Sequence, residues 1–307
     1  MKVKSTYILK LLLLTGSYCL GVFARASTTN EVVEVPFDFY HHAIIVQGTI
    51  DGKGPFNMLL DTGVDPSVID LNTAKGIDLK LAAVGEQGKG GGTETNLTYE
   101  TRLPFLKLGG LAATDIRALA ADLSKTSEAL GKPIHGVLGY SLLKDRVVQI
   151  DYPKRVARFF PNSPFLKTAH RPNNSKLTTV SFHYRDDILV EEVSVNGKKV
   201  TANLDTGSSS SFQLTPAAVV ALGLETQVGK AQVSESVGFN GLTENREGKI
   251  KNVTIGGISV DAPTVVFYGK GTGHDEETWG IRIGNAFLQD FVVTIDYQNE
   301  VITFEKP

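Results

Sequence analysis

Hydrophobic and polar positions along this chain alternate mostly with a period of two. The runs are short and bounded by Gly, Asn and Asp, a pattern that predicts β-strands. Two runs meet a hairpin signal, Ile50-Asp51-Gly52 and Val195-Asn196-Gly197. Asp-Gly and Asn-Gly favour the two-residue turn whose twist matches a β-hairpin. The return strands then run through Met58-Leu59-Leu60 and Ala202-Asn203-Leu204 into the same tripeptide. One helix is signalled from Leu214 to Gly223, with Thr215 as N-cap, Pro216 in the first turn and Gly223 as C-cap. The expected class is mainly β.

That shared tripeptide is Asp-Thr-Gly, at Asp61-Thr62-Gly63 and Asp205-Thr206-Gly207. Average residue usage gives about 0.1 chance occurrences in a chain this long. A second pair of segments repeats as well. Residues 139–152 read against 284–297, with Leu143, Asp145, Val147, Val148, Ile150, Asp151 and Tyr152 identical in the later copy. The tripeptides lie 144 residues apart and the later segments 145 apart, so the chain reads as one unit duplicated. Composition turns polar between Pro161 and Lys176. The expected division is therefore residues 32–160, a linker over 161–176, and residues 177–307.

A strand running into Asp-Thr-Gly, followed by two apolar residues and Gly, resembles each half of the aspartic proteases, pepsin-like and retropepsin-like. The later motif is Val137-Leu138-Gly139 in one half and Ile281-Arg282-Ile283-Gly284 in the other. Short halves without disulfides look most like bacterial retropepsin-like domains in tandem. The resemblance implies two homologous closed β-barrel lobes with Asp61 and Asp205 as the catalytic pair. It also implies that Thr62 and Thr206 bond across the lobes, supported by Gly63, Gly207 and Ser208. Two carboxyls a few ångströms apart cannot both ionise, so the pair shares one proton. One carboxylate then activates a water, while its protonated partner donates to the scissile carbonyl. No metal or cofactor is required. The expected activity is endopeptidase cleavage of a peptide or protein substrate by a monomer.

The two copies are unequal. The resemblance calls for Ser, Thr or Ala after Asp-Thr-Gly, and Ser208 obeys, but the first copy continues Val64-Asp65-Pro66. A serine hydroxyl can favour the ionised aspartate, whereas Val64 cannot and Asp65 adds negative charge. Asp61 is therefore expected to hold the shared proton, Asp205 to be the base, and activity to reach less acidic pH. The same departure leaves an alternative open: a catalytically degenerate protein that binds peptides or acts as a scaffold. Flaps over the cleft are expected at Gly88 to Thr93 and Gly238 to Gly241, with Gly90, Gly91, Tyr99 and Phe239 as candidate substrate contacts.

The N-terminus reads as an export signal over residues 1–26: Lys2, Lys4 and Lys10, an apolar run from Ile8, and Ala24-Arg25-Ala26. A lipid anchor at Cys19 is the rival, disfavoured by bulky Tyr18. Cys19 is the only cysteine, so the remaining chain can form no disulfide. Without a cysteine it must rely on core burial, and a bacterial periplasmic or extracellular setting is expected. The formal charge of -2 and the lack of a basic stripe argue against nucleic acid, and no stable membrane span is expected after cleavage. Asp145, Asp151, Asp290 and Asp296 read as turn and strand-end residues. His41, His42 and His135 lack metal spacing, Ser141 lacks a nucleophile elbow, and Gly269 to Gly273 lacks the phosphate-loop spacing.

Overall fold

The computed structural model describes residues 31–88, 90–161 and 177–307. The expected signal segment and the linker after Pro161 lie outside the described residues. Strands dominate, and all but four of them are connected through one network of pairings. The hairpin Ala43–Ile50 and Lys53–Leu60 turns at Asp51 and Gly52, with φ of 48° and 74°. Both central residues are left-handed, as the Asp-Gly signal predicts. The other hairpin turns at Asn196 and Gly197 with φ of 51° and 81°. It belongs to the separate four-stranded sheet, so the return strand breaks after Lys199 and resumes at Ala202–Leu204. The helix Pro216–Leu222 has the predicted caps: Ala218 N–H donates to Thr215 Oγ1, and Gly223 is left-handed.

Each half carries its aspartate on the same scaffold. Lys53–Leu60 runs parallel to Gly136–Leu138, which also pairs antiparallel with Ser67–Asp70. In the second half Ala202–Leu204 runs parallel to Ile281–Ile283, itself antiparallel to Phe212–Leu214. Asp61 N–H donates to Leu138 O at 3.0 Å, and Asp205 N–H to Ile283 O at 2.9 Å. The start of each aspartate loop is thus anchored by a neighbouring strand.

The halves are joined by an antiparallel series. Its order is Val33–Tyr40, Val156–Pro161, Arg146–Asp151, Val292–Asp296, Val301–Glu305 and Leu177–Tyr184. The central pair consists of the two copies of the sequence repeat, with Val148 opposite Ile295. The residues shared by the two copies now have a cause, because the repeat pairs with itself about a local two-fold. Its inward residues Val148, Ile150, Val293 and Ile295 are almost fully buried, continuous with Leu60, Leu204, Phe182 and Phe304. Burying each such side chain contributes about 1.5–3 kcal/mol, which lets a chain without disulfides hold together. Asp151 and Asp296 end these strands as turn formers. Asp151 Oδ1 accepts from Lys154 N–H, and Asp296 Oδ1 from the N–H groups of Gln298 and Asn299.

Candidate active site

The two aspartate loops meet across the interface. Thr62 Oγ1 donates to Leu204 O and Thr206 Oγ1 donates to Leu60 O, both at 3.0 Å. Each hydroxyl in turn accepts the backbone N–H of the opposite threonine, Thr62 N–H to Thr206 Oγ1 and Thr206 N–H to Thr62 Oγ1, again at 3.0 Å. Both threonines are 1% exposed, so water offers no replacement for these bonds. The closed ring of four hydrogen bonds fixes the separation of the residues immediately before them.

Those residues are the aspartates. Gly63 N–H donates to Asp61 Oδ1 at 2.8 Å and Gly207 N–H to Asp205 Oδ1 at 2.7 Å. Each glycine also abuts the other half's carboxyl. A methyl group on Gly63 would lie 2.6 Å from Asp205 Cγ, and one on Gly207 would lie 2.2 Å from Asp61 Oδ2. Glycine is therefore required at both positions by space rather than by backbone angle. Gly139 and Gly284 pack beneath the loops: added methyl groups would reach Val64 O at 2.2 Å and Ser210 O at 2.5 Å.

Burial pushes the Asp61 carboxyl well above its ordinary value, and the charge of Asp205 and a side-chain hydrogen bond with it add to the rise. The Gly63 N–H and the Arg282 charge oppose it. The direction agrees with expectation, but the sequence-level reasons do not. Asp65 is not among the groups that raise Asp61, because its carboxyl faces Arg117, Asp186 and Lys144 instead. Ser208 Oγ donates to Gln213 Oε1 at 2.8 Å rather than to Asp205. The partner of Asp205 is Arg282, whose Nε lies 3.1 Å from Asp205 Oδ2. Nε is not aligned for a directed hydrogen bond, so this contact is a charge pair.

Matching register shows what surrounds each aspartate. Leu59 stands opposite Val137 and Val68 opposite the same valine; Asn203 and Gln213 stand in those places opposite Arg282. In the first half Val137 and Val68 join Ile45, Ala121, Leu123 and Ile134 in an apolar cluster, with Val64 packed on it. In the second half the positions of Val137 and Ile134 hold Arg282 and Trp279. Asn203 Nδ2 and Trp279 Nε1 both donate to Asp187, whose half-buried carboxyl is pushed up to about 6 by desolvation. Arg282, Asp187 and Trp279 were absent from the sequence-level site. The one available signal was a charged residue inside the apolar strand Ile281–Ile283.

The candidate flaps meet each other. The hairpin Gln232–Gly238 and Gly241–Lys249 carries Phe239 and Asn240 at its tip. Asn240 N–H donates to Gly91 O at 2.7 Å, Glu94 N–H donates to Asn240 O, and Asn240 Nδ2 donates to Gly88 O and Gly90 O. Phe239 lies against Gly88 and Gly90 and packs on the apolar cluster of the other half. Gly90 and Gly91 are thus brought to Phe239, with His274 Nε2 also against Gly91. Tyr99 is not brought to this junction; it packs beside Gly85 on the main core.

A family model described as aspartyl protease matches residues 46–142 and again 191–285, together well over half the chain. The chain belongs to the aspartyl protease family. The double match makes it a tandem of retropepsin-like units on one polypeptide. A search of curated proteins finds no match. Each matched stretch of this aspartyl protease contains one Asp-Thr-Gly and the later motif ending in Gly139 or Gly284, the elements that build the paired loops. Membership supports hydrolysis of peptide substrates in general. Among the described residues no helix is long and apolar enough to cross a membrane.

Proposed function

We propose that this aspartyl protease is a monomeric endopeptidase, exported through its N-terminal signal, whose dyad is Asp61 and Asp205. The observation that carries the reading is the reciprocal bonding of Thr62 and Thr206, which brings the two aspartate loops together at the junction of the halves. In this reading each half closes as a barrel around its own apolar strands, and the cleft between the halves takes an extended peptide. Backbone hydrogen bonds from the flap segments would hold that peptide as an added strand.

Chemistry follows from one shared proton. Asp205, ionised, takes a proton from a water as the water oxygen adds to the scissile carbonyl carbon. Asp61 gives its proton to the carbonyl oxygen, so no oxyanion is left exposed. Collapse of the tetrahedral gem-diol breaks the C–N bond. The proton on Asp205 passes to the departing amine and a diol proton returns to Asp61. Atoms and charges balance with one water consumed and the dyad restored. The raised Asp61 carboxyl lets this monoprotonated state persist to less acidic pH.

The test is to incubate the purified protein with a diverse peptide library from pH 3 to pH 8, beside Asp61→Asn and Asp205→Asn. Cleavage by the wild type that disappears in both variants is expected. Cleavage that survives either change would end the dyad reading. If the wild type binds peptides but cleaves none across this range, the degenerate binder replaces the enzyme.

A further inference from the structure

Arg282 occupies a place that the other half fills with Val137. A largely buried guanidinium costs free energy to desolvate, so one beside the dyad calls for compensation and a reason. Compensation is visible. The guanidinium stacks 4.7 Å from the Trp279 ring, and Nη1 donates to the Tyr268 hydroxyl at 3.1 Å. Tyr268 stacks in turn on His274, which contacts Glu277 through Nδ1 at 3.0 Å. The side chain is held in one place, and that place puts Nε 3.1 Å from Asp205 Oδ2.

Titratable groups face Arg282 from several elements. Asp205 lies on the aspartate loop, Asp187 at the turn before Ile188–Val190, and Glu277 and His274 on the loop before Ile281–Ile283; Asp61 faces it from the other half. Tyr268 adds its hydroxyl from the end of Thr264–Tyr268. Among the described residues only Asp205 comes within ion-pair distance of the guanidinium. The field is therefore lopsided across the dyad, strongest at the Asp205 carboxyl. A two-fold dyad with equal surroundings would leave the proton free to sit on either aspartate.

We propose that Arg282 is a positioning residue for the dyad: its clamped guanidinium keeps Asp205 as the carboxylate and so leaves the single shared proton on Asp61. Its part in turnover rests on the endopeptidase reading above; its effect on proton placement does not.

The experiment exploits that difference. The carboxyl carbons of aspartate are labelled with carbon-13, and the Asp205 signal is assigned by its loss in Asp205→Asn. The signal is then titrated by NMR in wild type, Arg282→Met, Arg282→Gln and Arg282→Lys, with thermal melts to confirm folding. An opposite charge at this distance moves a carboxyl by about one to three units. Arg282→Met and Arg282→Gln should therefore raise the protonation midpoint of Asp205 by at least about one unit, and Arg282→Lys should recover most of the shift. In kinetics, the acid limb of kcat/KM should move up with the midpoint while KM changes less than kcat. A folded Arg282→Met or Arg282→Gln protein with an unmoved Asp205 midpoint overturns the proposal. A wild type that cleaves nothing would sink the endopeptidase reading instead, and the titration would still decide the role of Arg282.

Discussion

The two halves hold their aspartates in the same backbone frame and surround them with opposite chemistry. Around Asp61 the register positions are Leu59, Val68 and Val137, part of an apolar cluster capped by Phe239 from the other half. Around Asp205 the same positions are Asn203, Gln213 and Arg282; Asn203 bonds to Asp187, Gln213 to Ser208 and Arg282 to Tyr268. An apolar wall favours the neutral acid, and a cationic one favours the carboxylate. Duplication supplied the paired geometry, while divergence of the lining residues made the two carboxyls distinguishable. The second half retains a cost, because buried polar networks stabilise only when every member is satisfied.

The strongest way to break the comparison is to ask whether the unequal carboxyls are equally necessary. Asp61→Asn and Asp205→Asn should each reduce kcat/KM by at least ~10³-fold, since each removes one partner of a joint proton transfer. The double variant should lose little more. A single variant retaining a tenth of the activity would show that one half alone suffices.

Next in size is the contact between the candidate flap segments, which the proposed endopeptidase closes over the peptide. Gly92 has φ of 127°, and a methyl group there would lie 2.0 Å from the Asn240 carbonyl carbon. Gly92→Ala should therefore part the two candidate flap segments and, if the proposed endopeptidase closes them over its substrate, lower kcat/KM by about 10²-fold, while the core keeps its melting temperature. Unchanged turnover would mean that the contact between flaps plays no part in catalysis.

The threonine ring should be indifferent to the contrast in lining. Thr62→Val and Thr206→Val each leave a buried carbonyl and a buried N–H of the opposite half without a partner, at about 1–3 kcal/mol. Denaturant unfolding should give losses within error of each other. A marked inequality would mean that the surroundings, and not the ring, set the strength of the junction.

The smallest effect belongs to the polar half alone. Asp187 is raised to about 6 by burial, with the charges of Glu277 and Asp205 adding to the rise and Arg282 opposing it. Its folded value lies above the unfolded one, so its contribution to stability is fully present below about pH 4 and is lost as pH rises through 6. Asp187→Asn should flatten that part of the stability profile by up to ~2 kcal/mol, leaving the contribution of Asp61, which has the same sign. A profile unchanged in slope would count against the burial of this charge.

Much of this was legible in the residues because it depends on neighbours in sequence. Asp51-Gly52 and Asn196-Gly197 specify their turns, and Thr215, Pro216 and Gly223 specify their helix. The spacing of the Asp-Thr-Gly copies and later Gly motifs indicated the paired loops. Other features depended on distant segments meeting. Ser208 has a partner in Gln213 that its own position did not announce. Asp65 stands next to the first motif yet points to Arg117 and Lys144. Phe239 was assigned to a flap, but its packing on the apolar cluster of the first half requires both halves.

The sequence by itself determined a duplicated, mainly β chain with two aspartates destined for equivalent loops. Periodicity, turn chemistry and repeat spacing are local or one-dimensional properties, and they survive without coordinates. Only the tertiary structure decided which carboxyl meets a cation and which meets a hydrocarbon wall. That choice lies in cross-strand register, where Arg282 and Val137 take the same place in two halves and give it opposite electrostatic meaning.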